Sequence, residues 1–188
     1  MKKAIITGST GFIGSSFTQF LVSKGIDVLA IGRKDLINVS QKRRKKIEGA
    51  TYINLDMKNI CNLPNKLSEL QWDAGDDCIF FNLAWGGENG LSDLDIHSQM
   101  QNVAWCMNAL KTSVDIGCNR FIQVGTMEEA FTHKYLKLDH NESDQYNRHV
   151  IYSVAKIAAK YALQLKASTM DIDYIYVLHS HVMGEDDD

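Results

Sequence analysis

Three glycines at intervals of three, Gly8, Gly11 and Gly14, separate an apolar run at 3–7 from a segment whose apolar residues recur at helical spacing. This order predicts a buried strand over 3–7, a glycine loop, and a helix over 12–24 carrying Phe12, Ile13, Phe17, Phe20 and Leu21 and ended by Gly25. Glycines there permit a tight turn and let the main chain approach a pyrophosphate, which rests on the helix N-terminus. The strand–loop–helix context makes dinucleotide binding the expected role, with Gly8, Ser9, Thr10, Gly11, Phe12, Ile13 and Gly14 as candidate contacts. The competing reading is a tight turn without a ligand.

Beyond the loop, strand-like and helix-like runs alternate to the end of the chain. Strands are expected at 27–31, 51–55, 77–81, 120–124 and 173–178, and helices at 39–48, 60–70, 94–116 and 151–169. A glycine-rich loop, Gly86 to Gly90, precedes the third of these helices, and a second loop runs to about Asp144. Alternation with such short connections requires right-handed crossovers and a parallel, doubly wound sheet, the α/β architecture of a Rossmann fold. No repeat, low-complexity linker or composition break divides residues 1–188, so one dinucleotide-binding domain is expected.

The end of the second strand bears on which dinucleotide fits. An acidic residue there would hydrogen-bond a ribose 2′-hydroxyl, but the sequence reads Gly32-Arg33-Lys34. Arg33 is suited to a planar, bidentate hold on a 2′-phosphate with Lys34 in support, which favours NADP(H) and leaves NAD(H) open. The alternatives are a solvated Arg33 and a role for Asp35 as the acid. The basic run from Lys42 to Lys46 is expected to be a solvated helix face; drawing in an anionic cofactor or touching nucleic acid are the lesser readings.

Tyr152 and Lys156 stand four apart on the last expected helix, so phenol and ammonium can reach one site. A neighbouring ammonium lowers a phenol's pKa and makes it an acid or base usable near neutrality. At such positions a core tyrosine and a surface lysine are the ordinary alternative.

Composition excludes several classes. A chain of 188 residues, 45% apolar and 23% charged, builds one good core and not two large domains. A net charge of -3 lends no support to nucleic-acid binding, and no apolar run approaches the ~20 residues that span a bilayer. The N-terminus enters the first strand without a signal-peptide pattern, and the cysteines, Cys61, Cys78, Cys106 and Cys118, are scattered. A cytoplasmic protein with reduced thiols is expected. His179 and His181 alternate on the expected last strand, but a third metal ligand at suitable spacing is lacking.

In order and spacing these motifs resemble the extended short-chain dehydrogenase/reductase family, the branch of NAD(P)-dependent nucleotide-sugar epimerases, dehydratases and reductases. The resemblance covers essentially the whole chain. It implies that Asp56 contacts the adenine, that Leu83 and Ala84 of Asn82-Leu83-Ala84 run beside the nicotinamide ribose, and that Asn102 organises the site. It further implies Thr126 as the catalytic Ser/Thr, Tyr152 as the proton-transfer residue, and Lys156 as the group that lowers the Tyr152 pKa and binds the ribose. Where dehydratase members follow the threonine with Asp-Glu, this chain has Met127-Glu128-Glu129, which argues against dehydration.

The expected function is NADPH-dependent reduction of a 4-keto nucleotide sugar, with epimerisation as the alternative. Family members add a C-terminal substrate lobe that this chain largely lacks, so a non-catalytic dinucleotide-binding module is a further alternative. The family also implies homodimers through the helices expected at 94–116 and 151–169. Trp105, Met107 and Tyr161 are candidates for that contact or for the chain's own core.

Overall fold

The computed structural model describes residues 1–75, 77–87, 90–137 and 149–184. Much of the expected loop before residue 144 lies outside them, as do two residues of the Gly86–Gly90 loop. Six parallel strands form one sheet: β1 (Lys3–Thr7), β2 (Asp27–Gly32), β3 (Thr51–Asn54), β4 (Cys78–Asn82), β5 (Arg120–Val124) and β6 (Asp173–Val177). Their order, β3-β2-β1-β4-β5-β6, reverses direction beside β1, and ligands of doubly wound sheets bind in the crevice that such a reversal opens. In register, Thr7 stands opposite Ile31 and Asn82, and Asn82 opposite Gln123, so the strand ends that border the crevice are level.

Successive strand residues face opposite sides, and both sides are apolar along the central strands. Ile5, Leu29, Ile31, Phe80 and Phe121 pack beneath α3 (Leu63–Leu70), α4 (Ile96–Asp115) and α6 (Val150–Ala167). Ala4, Ile6 and Val28 pack on the other side against Leu21 and Phe17 of α1 (Phe12–Ser23). Phe80 and Phe121 stack at 5.3 Å across adjacent strands, which ties β4 to β5 at the centre of the first layer. The edge strand β6 covers only one side, and Ile175 and Val177 remain exposed.

Two helices differ from expectation for local reasons. The expected 60–70 helix is a 3-10 turn, Met57–Asn62, followed by α3, with Pro64 in the first helical turn where its missing N–H leaves no bond unmade. The basic helix shortens to α2 (Gln41–Lys46), ended by a turn through Ile47. A four-residue helix, α5 (Thr132–Tyr135), follows β5 and a 3-10 turn. The strand ends at Val177, so His179 and His181 lie beyond it and strand alternation does not put them on one face. No helix among the described residues is long and apolar enough to cross a membrane.

Candidate active site

The glycine loop is shaped by how closely it lies to itself and to β4. Gly8 adopts φ +68, and a Cβ there would come within 2.9 Å of the Ala84 amide nitrogen. A Cβ on Gly14 would sit 2.1 Å from the Gly8 carbonyl oxygen, so α1 can start this close to the loop only with glycine. The N-terminus of α1 has Gly11 as its cap, no side-chain cap and no acidic residue in its first turn. Its free N–H groups and the positive end of its dipole are left for an anion.

A cleft of about 680 Å³ opens at this point, lined by Gly8, Thr10, Gly11, Arg33, Asp56, Leu83 and Ala84 among others. Its size falls within the ~300–1,000 Å³ of small-molecule and cofactor sites. These residues fit a dinucleotide: an uncapped helix end for the pyrophosphate, a guanidinium at one rim, and apolar walls. The remaining loop candidates do not line the cleft. Ser9 is fully buried, its amide and hydroxyl both donating to the Ile31 carbonyl at 3.1 and 3.0 Å, so it fastens the loop to β2. Phe12, Ile13 and Gly14 form the first turn of α1 behind the cleft.

At the end of β2, Arg33 faces the cleft, whereas Asp35 accepts from Asn54 Nδ2 at 2.6 Å and is not part of its lining. The acid that would serve a 2′-hydroxyl is thus turned toward β3. Asp56 caps the following 3-10 turn by accepting from the Lys58 amide at 3.0 Å. The basic run is less solvated than expected, since Arg43 donates to the Thr10 carbonyl at 3.1 Å and Lys46 to Ser16 Oγ at 3.1 Å.

A buried polar network levels the strand ends beneath the cleft. Thr7 donates to Asn82 Oδ1 at 2.6 Å, and Asn82 Nδ2 donates to Gln123 Oε1 at 2.7 Å, joining β1, β4 and β5. Asn102 then fixes the loop that leaves β4, accepting from the Gly86 amide at 2.7 Å and donating to the Gly86 carbonyl at 3.0 Å. It lies 2% exposed and outside the cleft lining, so it organises the wall and does not itself face a ligand.

Thr126, Tyr152 and Lys156 gather behind that wall, 4%, 9% and 5% exposed. Thr126 is the cap of the 3-10 turn after β5, in a capping box in which Glu129 accepts from the Thr126 amide at 2.9 Å. Glu129 also accepts from Tyr176 at 2.6 Å, and Glu128 accepts from Tyr135 and from His149 Nδ1 at 3.1 Å. Both carboxylates following Met127 are therefore engaged within the protein.

The Lys156 ammonium donates to the Val124 carbonyl at 3.1 Å and lies 3.8 Å from the centroid of the Trp85 ring, against 5.6 Å for Tyr152. Burial lowers its pKa from 10.5 to about 8, against the opposing pull of Cys106 and Glu129. The expected lowering of Tyr152 by Lys156 does not appear. Burial pushes the phenol up to about 12; hydrogen bonding from Thr126 pulls it down, while Glu129 and Glu128 push it further up.

Two aromatic residues of the cleft escaped the sequence reading. Trp85 and Trp105 both line it. Met107 packs on the core, and Tyr161 is 62% exposed. The motif Asn82-Leu83-Ala84 ran directly into Trp85, which was the available signal.

The family model for the NAD-dependent epimerase/dehydratase family matches residues 4–188. The chain belongs to that family. It is a member of the extended short-chain dehydrogenase/reductase group, as the resemblance implied. Among solved structures, UDP-glucose 4-epimerase from Thermotoga maritima with UDP-glucose superposes with a TM-score of 0.71 at 17% identity, over 97% of this chain and 56% of that one. UDP-glucose 4-epimerase from Brucella ovis in complex with NAD gives 0.71 at 16% identity, over 99% and 54%. UDP-glucuronic acid 4-epimerase from Bacillus cereus in complex with NAD gives 0.66 at 18% identity, over 97% and 57%. The family member thus shares their fold and spans little more than half their length. Among curated protein sequences, none matches this chain.

Proposed function

We propose that this family member carries the dinucleotide-binding and proton-transfer part of an NADPH-dependent reductase that converts the 4-keto group of a nucleotide sugar to an alcohol. The observation that carries this reading is the placing of the buried Thr126, Tyr152 and Lys156 against Trp85, which lines the same cleft as Arg33. Tyr152 keeps its proton at neutral pH, as a proton donor to a carbonyl must. Reduction is preferred to epimerisation because Arg33 suits NADPH, the cofactor that a net reduction consumes.

The bound dinucleotide would supply the hydride to the carbonyl carbon. The Tyr152 proton goes to the carbonyl oxygen, so the C=O π bond is replaced by one C–H and one O–H bond and the phenolate is reprotonated from solvent. Thr126 orients that oxygen and Lys156 offsets the phenolate charge. Arg33 at the cleft rim, with Asp35 engaged by Asn54, supports the 2′-phosphate of NADPH over the 2′-hydroxyl of NADH. Met127, together with the internal partners of Glu128 and Glu129, speaks against water elimination.

Epimerisation is the second reading, favoured by the description of the family model. Incubation with NADPH and 4-keto-6-deoxy nucleotide sugars, and separately with NAD⁺ and 4-hydroxy nucleotide sugars, separates them. Reduction consumes NADPH mole for mole with product, whereas epimerisation returns its cofactor unchanged. Tyr152→Phe abolishes the consumption. Tight dinucleotide binding with no turnover on either class of sugar would replace both readings with a non-catalytic binding module.

A further inference from the structure

One side chain, Trp85, stands between the cleft and the proton-transfer group. Trp85 lines the cleft, while Thr126, Tyr152 and Lys156 do not. It covers the Lys156 ammonium at 3.8 Å and meets the Tyr152 ring edge-on, centroids 6.0 Å apart at 81°. The indole is held in place: Nε1 donates to Gln99 Oε1 at 2.8 Å, and Gln99, itself fully buried, donates to Asp93 Oδ2 at 3.0 Å.

An ammonium seated on an aromatic face and bonded to a strand carbonyl is not presented to the hydroxyls of a ribose in the cleft. The indole and the ribose compete for one cation. The Asn102 clamp holds the Gly86 peptide on both sides, so yielding requires rotation of the Trp85 side chain, with loss of the Gln99 hydrogen bond and the cation–π contact.

We propose that Trp85 is a positioning residue that keeps the Lys156 ammonium away from the cleft until the nicotinamide half of a dinucleotide displaces the indole. The proposal rests on the reading of the cleft as a dinucleotide site. It makes coupling of the proton-transfer group to cofactor arrival a property of one side chain. A dinucleotide then binds less tightly than the open site would allow, by the fraction of molecules in which the indole has moved.

The test compares NADP⁺ with adenosine 2′,5′-bisphosphate, which carries the adenosine half alone, by calorimetric titration of this chain and of Trp85→Leu and Trp85→Phe. Trp85→Leu is expected to tighten NADP⁺ by roughly 3- to 30-fold, the range of a cation–π contact, and to leave the bisphosphate unchanged. Trp85→Phe retains a smaller ring face and falls between. Without ligand, acylation of Lys156 by an N-hydroxysuccinimide ester, read by peptide mass spectrometry, rises several-fold in Trp85→Leu and returns toward wild type in Trp85→Phe. Equal weakening of both ligands, or an unchanged NADP⁺ affinity and Lys156 reactivity, overturns the proposal and leaves the dinucleotide reading intact. Failure of the wild-type chain to bind NADP⁺, NAD⁺ and the bisphosphate alike overturns both. Should Trp85→Leu fail to fold, the intermediate affinity and reactivity of Trp85→Phe decide.

Discussion

Replacing Lys156 by Met should remove a pH-dependent penalty that the fold now carries. The side chain is 5% exposed, and burial lowers its pKa from 10.5 to about 8. At about 1.4 kcal/mol per tenfold change in proton affinity, holding this ammonium in the folded protein at pH 7 costs about 3 kcal/mol relative to the unfolded chain. The sign follows from the order of the two values. Below pH 8 both states are charged and the penalty is complete. Between pH 8 and 10.5 the folded state has released the proton that the unfolded state still binds, so stability rises with pH. Above 10.5 the penalty is gone.

Met keeps the volume of the aliphatic stem and has nothing to titrate. Urea denaturation of wild type and Lys156→Met at pH 7 and pH 10 therefore isolates the group, because the other titrations largely cancel in the difference. The wild type should gain about 2–3 kcal/mol on the variant over that interval. A difference that stays flat from pH 7 to 10, or that moves against the wild type, refutes the argument that Lys156 is a desolvated cation held on Trp85 and Val124.

Three further outcomes follow from the same geometry. Gly14→Ala places a methyl 2.1 Å from the Gly8 carbonyl; it should cost about 1–3 kcal/mol in urea denaturation and remove dinucleotide binding by shifting the loop. Arg33→Ala should weaken NADP⁺ by roughly 10- to 100-fold in calorimetric titration and leave NAD⁺ nearly unchanged, as expected for loss of charge-assisted hydrogen bonds. Thr126→Val removes the side-chain half of the capping box and should cost about 1 kcal/mol, a fall in Tm of roughly 2–4 °C by calorimetry.

The strands were legible because parallel strands covered on both sides appear as short apolar runs, and Lys3–Thr7 and Arg120–Val124 match expectation at both ends. Helix ends were less so. The helix expected over 60–70 runs through Pro64, whereas α3 starts just before it because the preceding residues wind as a 3-10 turn. The glycine loop was legible through spacing, but spacing cannot tell that Ser9 is spent on the Ile31 carbonyl while its neighbours face the cleft.

The Tyr152–Lys156 pair was found from its i, i+4 spacing, whereas its electrostatic state was not. That state depends on contacts far along the chain: Trp85 beneath the ammonium, and Glu128 and Glu129 beside the phenol. Met127 spoke against an acid following Thr126, and the structure extends the point. Tyr135 and, from farther along the chain, His149 and Tyr176 bond the two carboxylates that remain.

Hydride transfer to sugar carbon is the centre of the account, and isotopic labelling reads it directly. NADPH carrying deuterium at the transferable C4 position of its nicotinamide would be incubated with this chain and a 4-keto-6-deoxy nucleotide sugar, and the sugar analysed by mass spectrometry. One deuterium is expected on the former carbonyl carbon for each NADP⁺ formed, and none with Tyr152→Phe. Deuterium retained entirely in the cofactor would contradict it.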